Sequence, residues 1–382
     1  MAAPGNSTVS IPFEGVAERG SIPTAVLLAG MLRTSQKVSD LIFSPNRPPQ
    51  VEVHGQLTTV ELPGVGTLTA DDTRRIAADV IGTNKQALST LREQGSCDVS
   101  YGLPGTARFR VNVFIQRGSC AVVMRVIPTV IPTFSSLHLP AQLEDAAHVR
   151  GGIILVTGGS GSGKSSTLAA LIDRINDQYC YHILTVEDPI EFLHRHKKST
   201  VHQRELHSDA PNFALALKAA LRQAPRVIMV GEIRDRETME ILLEAAENGH
   251  LVLSSMNTVD SLKTVERIVG SFNAAEQQSV RERFAKTFRY VIAQRLIPRA
   301  DGEERVAVVE ILKSNSRTRD CIEQGERPGR TLLDCIKVGA GEGMQHFDAE
   351  IAKLVRAGQV DSETALCFAS NATVLGQELA RN

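Results

Sequence analysis

The stretch from Gly151 to Leu168 constrains this chain more than any other. Ile153-Ile154-Leu155-Val156 is an unbroken apolar run, which reads as a buried strand because a parallel strand covered on both faces need not alternate. The run Gly158-Gly159-Ser160-Gly161-Ser162-Gly163 cannot continue that strand. Beyond it, Leu168, Leu171 and Ile172 recur at helical spacing. Strand, loop and helix therefore enclose G-x-x-x-x-G-K-S between Gly158 and Ser165, the phosphate-binding loop pattern in the context that confirms it.

The chemistry requires these residue types in this order. Glycines let the backbone curl so that successive N–H groups point inward at a phosphate. The helix that begins near Lys164 adds its positive N-terminal dipole. Lys164 supplies a mobile charge for the β- and γ-phosphates, and Ser165 a hydroxyl for Mg²⁺. The expected nucleotide contacts are Gly158, Gly159, Ser160, Gly161, Ser162, Gly163, Lys164, Ser165 and Ser166, with ATP or GTP as the ligand.

Composition removes several other functions. Forty-two Lys and Arg against 43 Asp and Glu give a net charge of −1, so no overall basic field favours nucleic acid. The absence of Trp and the presence of only 4 Tyr leave little to stack on exposed bases. Six scattered cysteines without a C-x-x-C pair argue against a disulfide framework or a structural zinc site. No secretory signal pattern opens the chain, and its apolar runs are far shorter than a membrane span. These features lead to the expectation of a cytoplasmic protein.

The length suits about two domains. Residues 1–20 are expected to form a flexible tail. Residues 21–128 read as a small α+β domain with helices over 22–32, 69–81 and 85–94. Strands are expected over 39–43, over 51–54 and 57–60 across a Gly55-Gln56 turn, and over the alternating segments 107–116 and 120–127. The prolines of Pro128-Thr129-Val130-Ile131-Pro132 mark a linker over 129–143. From 144 to 382 strands and helices alternate, which predicts a doubly wound parallel sheet with its ligand crevice at the strands' C-terminal ends. Within it, helices are expected over 261–269 and 275–294, a strand over 306–312, and short helices in the C-terminal part.

Phosphoryl transfer needs charge compensation and a positioned water. Two carboxylate positions follow apolar strands: Glu187-Asp188 and Glu232. Glu232 is the expected Mg²⁺-side acid together with Ser165, leaving Glu187 to activate water. His250 precedes a buried strand and is a candidate γ-phosphate sensor, although a lone His is more often structural. Arg108, Arg110, Arg117 and Arg125 lie outside the nucleotide domain, and an arginine supplied from a neighbouring module is one way to gate hydrolysis.

Taken together, these motifs resemble those of the secretion and pilus ATPases. Ile183 to Phe192 is similar to their aspartate box, Val230-Gly231-Glu232-Ile233-Arg234-Asp235 to their Walker B segment, and Ala245 to Val252 to their histidine box. The likeness extends through Ser39-Asp40-Leu41, Arg108 to Asn112, Gln116-Arg117-Gly118, Arg125 to Pro128 and Gly343-Met344-Gln345. Lacking a four-cysteine zinc insert, the chain most resembles the PilT-like retraction ATPases of type IV pili. The resemblance implies a PAS-like N-terminal domain, a RecA-like P-loop ATPase domain, ATP with Mg²⁺, and a homo-hexameric ring at the cytoplasmic face of the inner membrane. It implies an inner-membrane platform protein as partner, with a paralogous retraction ATPase as a second one and no nucleic acid. Glu187 would be the catalytic base, Glu232 the Walker B acid and His250 the histidine-box residue, with Arg110 and Arg125 reaching nucleotide at an interface. Three departures stand out: Asn257 replaces the second histidine of that box, Ser316 to Ile322 replaces the Ala-Ile-Arg-Asn-Leu-Ile motif, and Leu221 to Arg226 lacks the usual acids. These leave a related secretion system or an accessory low-turnover subunit as alternatives.

Overall fold

The computed structural model describes residues 8–10, 22–35, 37–128, 130–302 and 305–380. The chain divides into two compact units, residues 1–129 and 130–382. The first is a seven-stranded sheet in the order β1-β4-β3-β2-β7-β6-β5. Its strands are β1 (Thr8–Ser10), β2 (Val38–Phe43), β3 (Gln50–Val53), β4 (Gln56–Glu61), β5 (Ser96–Leu103), β6 (Ala107–Gln116) and β7 (Ser119–Ile127). All pairings are antiparallel except that of β1 with β4. Part of the expected 1–20 tail is thus an edge strand; the remainder lies outside the described residues.

Helices α1 (Thr24–Leu32), α2 (Ala70–Ile81) and α3 (Lys85–Gln94) complete this unit. Thr69 caps α2 in a capping box with Asp72. The β3–β4 turn is His54-Gly55, one residue earlier than expected, because both residues adopt positive φ (53° and 76°) and leave Gln56 to pair with Val53. Phe109, Val111 and Val113 are buried as the alternation requires, while Ile115 near the hairpin end is exposed.

The second unit is a seven-stranded sheet in the order β10-β9-β11-β12-β8-β13-β14. Its strands are β8 (Gly152–Gly158), β9 (His182–Glu187), β10 (Thr200–Glu205), β11 (Val227–Val230), β12 (Leu251–Met256), β13 (Phe288–Pro298) and β14 (Arg305–Lys313). All run parallel except β14. Around them lie α4 (Lys164–Gln178), α5 (Phe213–Ala220), α6 (Arg236–Glu247), α7 (Ser261–Gly270) and α8 (Gln277–Thr287). The C-terminal part adds α9 (Ser316–Gln324), α10 (Leu332–Val338), α11 (Phe347–Arg356), α12 (Ser362–Phe368) and α13 (Ala372–Ala380).

Every residue of β8 is buried, and apolar clusters cover both faces of the sheet. Two expectations need correction. The helix expected over 275–294 ends at Thr287, and the aromatic and β-branched run from Phe288 onward pairs with both β8 and β14. The segment expected as a linker over 129–143 is in large part core. Phe134, Leu139 and Leu143 are buried beside α4 and β8, and a 3-10 turn runs over Ala141–His148. From β13, Arg295 lies 3.8 Å from the Phe347 ring centroid, and its Nη1 donates to the Phe368 carbonyl at 2.6 Å.

Gly152 opens β8 at φ 107°, and a Cβ there would sit 2.3 Å from the Thr287 carbonyl oxygen. Gly152→Ala is therefore expected to destabilise the protein by more than about 1 kcal/mol. Gly159→Ala, whose Cβ meets nothing within 4 Å, should leave the urea midpoint unchanged; equal midpoints for the two variants would refute the assignment.

Candidate active site

The C-terminal ends of β8, β9, β11 and β12 open into one cleft of about 490 Å³. Residues Ser160 to Ser166 line it, as do Glu187, Asp188, Glu232, Arg234 and Asn257. A parallel sheet brings these together because each strand ends at the same edge, so residues distant in sequence share one rim.

The loop geometry explains its glycines. Gly158 has φ 147°, and a Cβ there would lie 2.4 Å from Ser162 Oγ and 2.5 Å from the Gln294 carbonyl oxygen. Gly163 takes φ 90° as it leads into α4. Lys164 begins that helix, and its Nζ donates to the carbonyls of Gly158 (3.0 Å) and Gly159 (2.8 Å). Burial lowers the Lys164 pKa, while Glu232 and Glu191 favour its charge. Gln294 on β13 supports the base of α4 by donating from Nε2 to Thr167 Oγ1 at 3.0 Å.

Glu187 ends β9 and is buried. Its Oε1 accepts from Thr185 Oγ1 at 2.6 Å and from Gln203 Nε2 at 3.0 Å. Its Oε2 accepts from the Glu191 backbone N–H at 3.4 Å. Burial pushes its pKa above the ordinary carboxylate value, and these donors offset part of that rise.

Glu232 follows β11 and meets two donors. Arg234 Nε reaches its Oε2 at 3.0 Å, and Asn257 Nδ2 donates to its Oε1. The same guanidinium donates from Nη1 to Asp188 Oδ2 at 3.0 Å. Arg234 thus bridges the acids of two adjacent strand ends, and the Glu232 hydrogen bond raises its pKa further.

Of the expected site residues, the phosphate loop, Glu187 and Glu232 come together in this cleft, whereas His250 does not join them. It precedes β12 at the strand's opposite end, level with Gly151, and its Nδ1 lies 2.9 Å from the Pro225 carbonyl oxygen. Six residues of strand, roughly 20 Å, separate it from the cleft rim within its own chain. The residue that does reach the rim is Asn257. Arg110 and Arg125 belong to the first unit, where they form a direct cross-strand pair between β6 and β7. Both are exposed, and Arg125 Nε donates to the buried Asp40 at 2.9 Å.

Sequence reading passed over the partners of the acids. Thr185 lies two residues before Glu187, so a strand's period of two places it on the same face. Gln203 carries no comparable signal, because β10 was not expected to be a strand at all. Arg234 had one, as a cation two residues after the Walker B acid.

The profile of the type II/IV secretion system protein family matches residues 94–369. The chain belongs to that family. Its curated relatives include a twitching motility protein of Neisseria gonorrhoeae, 40% identical over 85% of this chain and 84% of that one. Another is the type IV pilus retraction ATPase PilT of Pseudomonas aeruginosa, 38% identical over 86% of this chain and 94% of that one. A solved structure of the pilus retraction motor PilT with bound ADP matches with a TM-score of 0.80 and 36% identity, covering 94% of this chain and 99% of that one. The secretion-family fold, a RecA-like P-loop ATPase domain preceded by a smaller α+β domain, therefore accounts for both units.

In this family member, Gln203→Leu removes a donor from the Glu187 carboxylate. That hydrogen bond favours the charged form, so the Glu187 pKa is expected to rise further in the variant. Carboxyl titration by NMR reads this directly, and an unchanged titration would show that the contact does not form.

Proposed function

We propose that this chain is the ATP-hydrolysing motor of a type IV pilus retraction machine. It acts as a homo-hexameric ring at the cytoplasmic face of the inner membrane. The observation that carries this reading is the convergence of a phosphate loop, a buried carboxylate and a Walker B acid in one cleft of a retraction-ATPase-like fold. Among the described residues no helix is long and apolar enough to cross a membrane, so attachment there would run through a partner, which we take to be a pilus platform protein.

Glu187 takes the proton of the attacking water. Its burial suits that role, because burial raises the pKa of the carboxyl and so makes the carboxylate a stronger base. Lys164, released from the loop carbonyls, meets the β- and γ-phosphates. The oxygen donors Ser165 and Glu232 fit a hard divalent cation, so these two would hold Mg²⁺. The ion would supply neutralisation of phosphate charge. Arg234 and Asn257 orient Glu232 for that task. Arg110 and Arg125, offered by a neighbouring subunit, would compensate charge on the γ-phosphate. His250 has no part in this chemistry within its own chain.

Steady-state phosphate release tests the enzymatic part. Glu187→Gln is expected to lower turnover by about 10²–10⁴-fold, and Lys164→Ala and Glu232→Ala to abolish it; wild-type rates in Glu232→Ala would sink the motor reading. Since Glu187 must be ionised and burial raises its pKa, kcat/KM is expected to fall on an acid limb centred above the ordinary value of about 4.3. Cells lacking the protein should keep their pili but fail to retract them, whereas loss of pili would indicate an assembly role.

A further inference from the structure

We infer that His182 and His202 form a binding site for a divalent transition-metal ion, Ni²⁺ or Cu²⁺ by chemical preference, near the ends of β9 and β10 that lie away from the cleft. In the parallel register Thr200 sits beside His182, so His202, two residues further along β10, shares its face. The two imidazoles meet edge to face, with His182 Nε2 and His202 Nδ1 3.0 Å apart. Backbone groups fix which nitrogen of each ring carries a proton. His182 Nδ1 lies 3.0 Å from the Gln223 carbonyl oxygen, which can only accept, so Nδ1 is protonated and Nε2 keeps its lone pair. That carbonyl belongs to a segment held against β9, because the Arg226 N–H donates to the His182 carbonyl at 2.8 Å. An imidazole anchored through one nitrogen to a carbonyl, with a lone pair on the other, is the arrangement that metal-binding histidines adopt.

His202 Nδ1 donates to that lone pair as the rings stand. An ion taking the place of the shared proton needs only a tautomer change, in which the proton moves to Nε2 of the exposed His202. Nitrogens 3.0 Å apart, each about 2.0–2.1 Å from an ion, subtend close to a right angle there. That angle suits the square-planar or tetragonal coordination of Cu²⁺ and Ni²⁺ better than the tetrahedral coordination of Zn²⁺. Among the described residues no group of three or more His, Cys, Asp or Glu is placed to hold a metal ion, so water fills the remaining positions. The ring centroid of His196 is 6.2 Å from that of His202, but its Nδ1 accepts the Val201 N–H at 3.1 Å. The His196 proton is therefore on Nε2, and this ring is not a ligand. Occupancy would tie the edge strand β10 to β9, the pair that carries Gln203 and Glu187 toward its other end.

Calorimetric titration of the tag-free full-length protein with Ni²⁺, in excess Mg²⁺, tests this. One site per chain is expected, and Tm should rise with Ni²⁺ concentration because the ion binds only the folded pair. His182→Asn and His202→Asn should each weaken binding by more than about tenfold, since even an outer-shell partner is worth about 10–100-fold. His196→Ala should leave the affinity unchanged. The Cu²⁺-loaded wild type should show two imidazole nitrogens in its electron paramagnetic resonance spectrum, a readout that depends on no variant. No Ni²⁺ uptake by the wild type, undiminished affinity in the asparagine variants, fewer than two coordinated nitrogens, or a loss in His196→Ala as large as theirs would each overturn the site.

Discussion

The ladder that locks β8 between β12 and β13 is the contact on which the rest of this protein depends. A strand buried on both faces has no freedom to tilt or slide, because each residue is held by hydrogen bonds on both edges and by side chains above and below. The phosphate loop inherits that fixity at its first residue. Gly158 is wedged against Ser162 and the Gln294 carbonyl, so the loop begins at a defined point and α4 leaves it in a defined direction. Precision of this kind allows backbone N–H groups to act as a preorganised cradle instead of a flexible turn.

Charge in the cleft is arranged around the same rim. Glu187 is buried and hydrogen-bonded, whereas Glu232 and Asp188 share a single guanidinium. The two environments push the acids toward different work. The first holds a carboxylate whose ionisation burial opposes; the second holds two carboxylates, each 3.0 Å from the Arg234 guanidinium. Arg234 also ties the end of β9 to the end of β11, which makes it an organiser of the rim as much as a counter-charge.

Much of this was legible in the chain itself. The apolar run of β8, the Gly/Ser loop and the helical spacing after it define the phosphate site locally, and Glu187 and Glu232 follow their strands directly. What was not legible depends on pairing at a distance. β10 reads poorly because Thr200-Val201-His202-Gln203-Arg204-Glu205 carries one apolar residue in six and is a strand only through its ladder with β9. The segment after Thr287 continues a helical pattern on paper and becomes β13 because β8 offers it a free edge. His250 was drawn to the nucleotide by its place in a motif. A residue that precedes a parallel strand sits at the end away from the crevice, so its position before Leu251 already argued against a place in this chain's own cleft.

β13 touches the phosphate loop through Gln294, and its next residue, Arg295, is stacked on Phe347 and bonded to the Phe368 carbonyl. Two successive side chains on opposite faces of one strand therefore couple the nucleotide's seat to the C-terminal helices. Those helices share one apolar cluster with Ala293, Ile297, Val306 and Val308 of β13 and β14, so a shift of the strand near the phosphates would carry the packed C-terminal helices with it.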